Sequence, residues 1–394
     1  MVEGGAPGAG RRLLVLGAGP AQLGLLRAAR ARDLFVIAAD RDASAVGFPL
    51  ADRRAVISAE DEQAIARLAE AERVDGLIAP GTDWPVAIAA RVADRLGLPH
   101  PISPEVATAA TSKPRQRELL ERAGVPQPRW RFGRSPEEET LPAPCVVKPP
   151  DRQGQRGLSV VHDPEELADA VERANAEART GGWIVEELID GPEITVNGFS
   201  VDGHFHMLTV TDRLVAEPPA FGVALAHAWP SERDPGAIAA DAARALGIVN
   251  GPTYTQIRFA SDGPKVIEVA ARLGGGHDAE LCRAAIGVDL NGAAIAAALG
   301  EPVGDLVPRE RVGGACTRFL VAPRGVLEAV DGIAEAEAAP GVLDVRIYRQ
   351  PGHRFGPLRT GPDRAGAIIA TGATRDGALA NADAAAERVV FRVT

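Results

Sequence analysis

The N-terminal part of the chain alternates short apolar runs with amphipathic stretches. Residues 13–16 form an apolar run, residues 17–24 a glycine-bearing turn that opens a helix, and residues 35–39 a second apolar run ending at Asp40. The next cycle predicts a helix over 60–72, a strand over 76–79 and a turn at Pro80-Gly81. Strands alternating with amphipathic helices predict a parallel sheet covered on both faces. Pro99 and Pro101 punctuate the end of this unit. A helix is predicted over 113–123, stopped by Gly124-Val125-Pro126, and the prolines between 126 and 144 read as a connection into a new lobe. Beyond it the pattern changes. Residues 193–201 and 204–210 flank Asp202-Gly203, and residues 254–260 and 265–271 flank Ser261-Asp262-Gly263-Pro264. Such turn chemistry between strand-like runs predicts antiparallel hairpins. The chain therefore switches from parallel α/β to α+β, and its last part mixes strands with an alanine-rich helix over 376–387.

Composition narrows the class. At 394 residues, 46% hydrophobic and 24% charged, the chain reads as a globular protein of two or three domains. A net charge of −10 argues against a general nucleic-acid surface, and 4% aromatic residues leave few stacking platforms. Cys145, Cys282 and Cys316 are widely spaced, so neither a disulfide framework nor a zinc site is expected. No apolar run reaches the length of about 18 residues that a membrane span needs. Residues 1–10 read as a disordered lead-in without the apolar centre of a signal peptide. A cytoplasmic protein with no membrane or nucleic-acid partner is expected.

Two glycine-bearing regions carry candidate chemistry. Gly17-Ala18-Gly19-Pro20-Ala21-Gln22-Leu23-Gly24 sits where a dinucleotide fingerprint would, but Gln22 stands in place of the third glycine and Gly24 comes two residues late. It reads as a structural turn that touches a substrate, with a nicotinamide or flavin oxidoreductase as the rival. The stronger signal is a series of four pieces. Ser112-Lys113 opens a helix. Val146-Val147-Lys148-Pro149-Pro150 is a strand ending in lysine, followed by a loop bearing Gly154 and Gly157. Val185-Glu186-Glu187-Leu188-Ile189-Asp190-Gly191-Pro192-Glu193 comes third. The last is the hairpin with Gln256, Glu268 and Arg272, running into Gly274-Gly275-Gly276. Each piece alone has an ordinary reading, as a solvated lysine, a surface Glu pair or a loop. Together they supply what a nucleotide needs. Two lysines neutralise the phosphate chain, a glycine loop offers N–H donors and moves as a lid, an exposed edge at 186–189 presents main-chain groups to adenine, and carboxylates hold Mg²⁺.

These pieces, in this order, resemble the ATP-grasp superfamily, and within it the carboxylate–amine ligases that include L-amino-acid ligases; biotin carboxylase and D-alanine–D-alanine ligase are more distantly similar. The resemblance implies an ATP-grasp fold preceded by a Rossmann-like parallel-sheet domain. It divides the chain into a preATP-grasp domain over 11–101, a grasp domain over 102–300 with a flexible lobe at about 126–192, and a closing subdomain over 301–394. It implies that Lys113 and Lys148 bind phosphates, that the flap with Gly154 and Gly157 covers them, that Glu186, Glu187 and Ile189 contact adenine, and that Glu193 binds the ribose. Glu268 and Gln256 would hold Mg²⁺, or Mn²⁺ in its place. Arg272, Gly275 and Gly276 would form the acyl-phosphate site, with Arg272 and Lys148 catalytic and His227 binding substrate. The implied reaction joins a small carboxylate to an amine at the cost of ATP, and a homodimer is the default assembly.

Two positions depart from that pattern. The family's Glu, followed twelve residues later by Glu-x-Asn-x-Arg, is here Gln256, Glu268, Ala270 and Arg272. Glu268 with phosphates and water can hold the metal, Asp278 or Glu280 can compensate, or the chain can be an ATP-binding protein without turnover. The family's Glu-x-x-His before Pro-Ser is here Ala224 and His227, which predicts an acid substrate without an α-amino group, or one held otherwise. A bicarbonate-activating carboxylase is the rival within the superfamily.

Overall fold

A computed structural model describes residues 10–135, 138–217, 220–309 and 311–394, so the expected lead-in falls, except for Gly10, outside the described residues. The first sheet is four parallel strands in the order Arg53–Val56, Phe35–Asp40, Arg12–Leu16 and Gly76–Ile78. Period-2 alternation explains how both of its faces are buried. Leu14, Leu16, Ile37 and Ala39 enter one core, while Leu13, Val15, Val36 and Ala38 enter another. The Gly17 turn receives the Gln22 side chain, whose amide donates to Pro80 O at 2.6 Å. Gln22 therefore packs over the glycine turn that a pyrophosphate would have to approach.

The central sheet has eight strands, in the order Gly263–Ala270, Gly251–Ala260, Glu193–Val201, His204–Val215, Ala224–Trp229, Gly314–Leu320, Gly366–Gly372 and Val342–Ile347. Both Asp-Gly hairpins lie in it side by side, the register placing Gln256 opposite Glu268 and Thr195. The sheet crosses residue 300 without a break, so three C-terminal strands extend it. A three-stranded sheet of Arg354–Phe355, Gly325–Asp331 and Val390–Val393 follows, and the helix Arg375–Ala386 packs its alanines on the C-terminal strands.

A separate antiparallel sheet forms the lobe, in the order Trp130–Gly133, Trp183–Glu187, Cys145–Lys148 and Ser159–Val161, with the helix Leu167–Glu177 against it. Here the sequence expectation needs correction. Trp130–Gly133 lies in the proline-bearing stretch read as a connection, and it pairs along Trp183–Glu187. The strand holding Glu186 and Glu187 is therefore an inner one, bonded on both sides, and not a free edge. The chain leaves the sheet only at Leu188. Among the described residues, no helix is long and apolar enough to cross a membrane.

Candidate active site

A cavity of about 840 Å³ is walled by the first sheet, the lobe loop, the central sheet and the C-terminal segment. Its lining takes Gly17 and Gln22 from the first turn, Asp83 from the next helix entry and Gln153, Gly154 and Gln155 from the loop. The central sheet adds His227, Tyr254, Gln256 and Glu268; Arg272, Gly275 and Gly276 follow from the glycine turn, and Tyr348 and Arg364 from the C-terminal part. A second cavity of about 940 Å³ shares Gln155 and Arg213 with the first and is lined by Leu158, Val160, Leu188, Glu193, Phe221 and Arg258.

Two buried charge trios border these cavities. Lys148 Nζ lies 2.7 Å from Glu186 Oε2, and Arg117 Nε donates to Glu186 Oε1 at 2.9 Å. Burial alone would raise the Glu186 carboxyl, but Arg117 and Lys148 outweigh it and hold it at about 2. Arg117 also donates to Val266 O at 2.8 Å and Ile267 O at 2.6 Å, tying the lobe to the strand that carries Glu268. The side chain of Glu186 thus positions Lys148 and does not reach outward. The second trio has Glu193 between Arg213 and Arg258, the latter at 2.9 Å, with Arg258 also donating to Ile189 O at 2.9 Å. Glu187 is less enclosed, 3.9 Å from Lys265 Nζ. Each trio sets two cations on one carboxylate and leaves a positive charge over.

Glu268 faces Lys113 Nζ at 3.7 Å, and Lys113 also donates to Arg152 O in the glycine loop. Burial works to raise the Glu268 carboxyl; Lys113, Lys148 and Arg272 together pull it below its ordinary value. Gln256 donates to the Tyr254 hydroxyl at 3.3 Å. Arg272 lies over the Tyr254 ring at 5.2 Å and is ion-paired with Asp83, its Nε 2.7 Å from Oδ1. His227 Nδ1 is 2.9 Å from Asp278 Oδ1, while Gly276 N donates to Asp278 Oδ2 at 3.0 Å. A Cβ on Gly276 would meet His227 Cε1 at 2.7 Å, so only glycine lets the turn pass this close. The flap is folded down, with Asp83 N donating to the Gln153 side chain.

Two models of protein families match the chain: an ATP-grasp domain over residues 141–280 and the L-amino acid ligase C-terminal domain 2 over 318–394. The chain carries an ATP-grasp domain followed by an L-amino acid ligase C-terminal domain. Among curated relatives, an uncharacterized protein, y4rH, of Sinorhizobium fredii is 33% identical over 74% of this chain and 63% of its own length. Dapdiamide A synthase of Enterobacter agglomerans is 26% identical over 53% of each. The chain thus spans between about half and two thirds of these relatives. The crystal structure of an L-amino acid ligase from Bacillus licheniformis shares the fold at a TM-score of 0.84 and 22% identity, covering 98% of this chain and 99% of that one.

Within this ATP-grasp fold, the cavity gathers Glu268, Gln256, Arg272, His227, Gly154, Gly275 and Gly276, with Lys113 on Glu268 and Lys148 just behind. Glu193 and the hinge after Glu187 belong to the second cavity. Asp278 and Glu280, weighed as substitutes for the lost metal carboxylate, are engaged elsewhere: Asp278 with His227 and Gly276, Glu280 with Arg346 at 2.8 Å. Among the described residues no group of three or more His, Cys, Asp or Glu is arranged to hold a metal. One carboxylate beside one amide still fits an Mg²⁺ that takes most of its ligands from phosphate and water. Sequence reasoning missed Asp83, Arg117 and Arg364, and it weighed Asp278 as a metal ligand where the structure makes it the partner of His227. Asp83 had one signal, since it stands directly before a Trp-Pro helix start in the turn after a parallel strand, where ligands gather in such sheets.

Proposed function

We propose that the protein is an ATP-dependent carboxylate–amine ligase that forms an amide through an acyl phosphate, releasing ADP and phosphate. The observation that carries this reading is the convergence on one cavity of Glu268, Arg272 and the glycine flap, with the buried Lys148 and the half-buried Lys113 acting on the same carboxylate. The surplus positive charge of each trio suits a polyanion. In this reading the adenosine lies in the second cavity, against Leu188, Ile189 and Glu193, and the phosphates run under the flap toward Lys113 and Lys148. Each oxygen of Glu193 keeps a lone pair beside its arginine bond, free to accept from a ribose hydroxyl.

The carboxylate of the first substrate attacks the γ-phosphorus in line, and the bond to the leaving ADP oxygen breaks. Lys148, fixed by Glu186, neutralises charge on the transferring group. Mg²⁺, held through Glu268 and the Gln256 amide oxygen, would supply further charge neutralisation there. The amine then attacks the acyl carbon, and Arg272, oriented by Asp83, stabilises the tetrahedral oxyanion before phosphate leaves. The lowered flap keeps water from the acyl phosphate.

The test measures ADP and phosphate release from ATP–Mg²⁺ with pooled carboxylates and pooled amines, beside Lys148→Ala. Release that needs both pools and is lost in the variant is the expected result. Tight ATP binding without release across broad pools would replace the ligase by an ATP-binding protein that does not turn over, with Gln256 and Ala270 as the cause.

A further inference from the structure

Arg364 is a half-buried cation in the cavity wall without a carboxylate partner. Its Nε donates to Gly361 O at 2.8 Å, its Nη1 to Ala224 O at 3.4 Å, and its guanidinium lies 3.7 Å over the Phe319 ring. Among the described residues no carboxylate comes within 4.0 Å of it, whereas Arg272, Arg213 and Arg258 on the same cavities each have one. Burial pushes the guanidinium below its ordinary value, and an arginine side chain keeps its charge in proteins. A charge enclosed in this way is costly unless something pairs with it.

The neighbouring side chains orient a second donor toward the same space. Ala224, Phe319 and Tyr348 pack together, and Tyr348 and Arg364 both line the cavity. Arg346 Nη1 lies 2.7 Å from His277 Nδ1; a guanidinium only donates, so Nδ1 accepts and Nε2 carries the hydrogen that goes to the Tyr348 oxygen. His277 is buried beside Arg346 and stays neutral, which keeps this tautomer. With one lone pair of Tyr348 taken by His277, its own O–H is left to donate. A guanidinium and a phenol hydroxyl lining one cavity, with no carboxylate within 4.0 Å of the guanidinium among the described residues, match a carboxylate.

We propose that Arg364 and Tyr348 form a subsite for a second carboxylate on the acid substrate, so that the acid activated is a dicarboxylic acid. One carboxylate is held at Arg364 while the other meets the γ-phosphate near Arg272. This assignment rests on the ligase reading for its chemistry, but the subsite itself is a binding site and is tested separately.

The assay uses hydroxylamine as the amine, since it carries no carboxylate of its own. Its nitrogen attacks the acyl carbon, the bond to phosphate breaks, and the hydroxamate is measured by colour. Succinate and glutarate are compared with butyrate, valerate and L-alanine. The expected result is a kcat/KM for the dicarboxylates tenfold or more above their monocarboxylate counterparts. In Arg364→Met that advantage collapses through a rise in KM, Arg364→Lys restores part of it, and Tyr348→Phe reduces it by a few-fold. Equal use of monocarboxylates or preference for L-alanine overturns the proposal, as does an Arg364→Met variant that lowers every acid alike. A dicarboxylate advantage absent with hydroxylamine, alongside an Arg364-dependent KM for glycine as amine, also overturns it, because the subsite would then read the amine. If no acid yields hydroxamate or ADP, the ligase reading fails, and calorimetric titration of succinate decides the subsite. Binding that is lost in Arg364→Met upholds it, and no binding to the unmodified protein removes it.

Discussion

The two sides of the active-site region handle buried charge in opposite ways. Where the lobe meets the central sheet, every enclosed cation described above has its carboxylate: Lys148 and Arg117 share Glu186, Arg213 and Arg258 share Glu193, and Lys113 faces Glu268. At the C-terminal wall, Arg364 has only carbonyls and an aromatic face. The first arrangement is complete within the protein's own side chains. The second is completed only by what binds. On the readings proposed above, the first wall takes the nucleotide and the second takes the acid.

The largest effect should come from breaking a trio. Glu186→Ala leaves Lys148 and Arg117 buried without an anion and should cost about 3–5 kcal/mol of stability, read by urea denaturation. The same carboxyl sets an acid limit. Its folded value of about 2 lies below its ordinary 4.5, so its contribution is fully present above pH 4.5 and is lost as pH falls toward 2. Glu186→Gln should flatten that part of a stability–pH curve; an unchanged slope would remove the trio's part in acid sensitivity.

Next comes Lys148→Ala, expected to lower substrate-dependent ADP release by about 10²–10³-fold, the cost typical of one lost charge-stabilising group. Retained turnover would shift that role to Lys113. Asp83→Asn should cost less, about tenfold in kcat with little change in the KM for ATP, because Arg272 keeps its bond to Leu273 O and loses only its ion partner. The smallest effect concerns the flap. Gly157 has φ +69°, and a Cβ there would meet Pro149 Cγ at 2.8 Å, so Gly157→Ala should lower stability by about 1–2 kcal/mol in thermal unfolding.

Much of the architecture was legible because its signals are local. Alternation, amphipathic periods and Asp-Gly turns each lie within a dozen residues, and they placed both hairpins and three of the four parallel strands to within a few positions, while the short, mostly exposed Arg53–Val56 escaped. Trp130–Gly133 escaped because prolines on either side mask a short strand whose partner lies far along the chain. The spacing from Lys113 to Arg272 could be read as a set, since each member keeps a fixed place on its strand or turn. The partners that position those residues could not. Arg272 meets Asp83 across 189 positions, Arg117 meets Glu186 across 69 and His227 meets Asp278 across 51, and no periodicity reports a contact of that kind. Arg364 was hidden for another reason. Its meaning lies in having no carboxylate nearby, which a sequence does not display.

The pairing of Arg272 with Asp83 also bears on how proteins of this kind can be recombined. The arginine stands just past the end of the central sheet's outer hairpin, while its partner directly precedes a helix in the N-terminal unit. A chimera that exchanges the N-terminal unit for another would leave the central sheet intact and still remove the ion partner of this arginine. Any graft of that unit must therefore bring an acid at the position of Asp83, or leave the arginine with only Leu273 O and the Tyr254 ring to hold it.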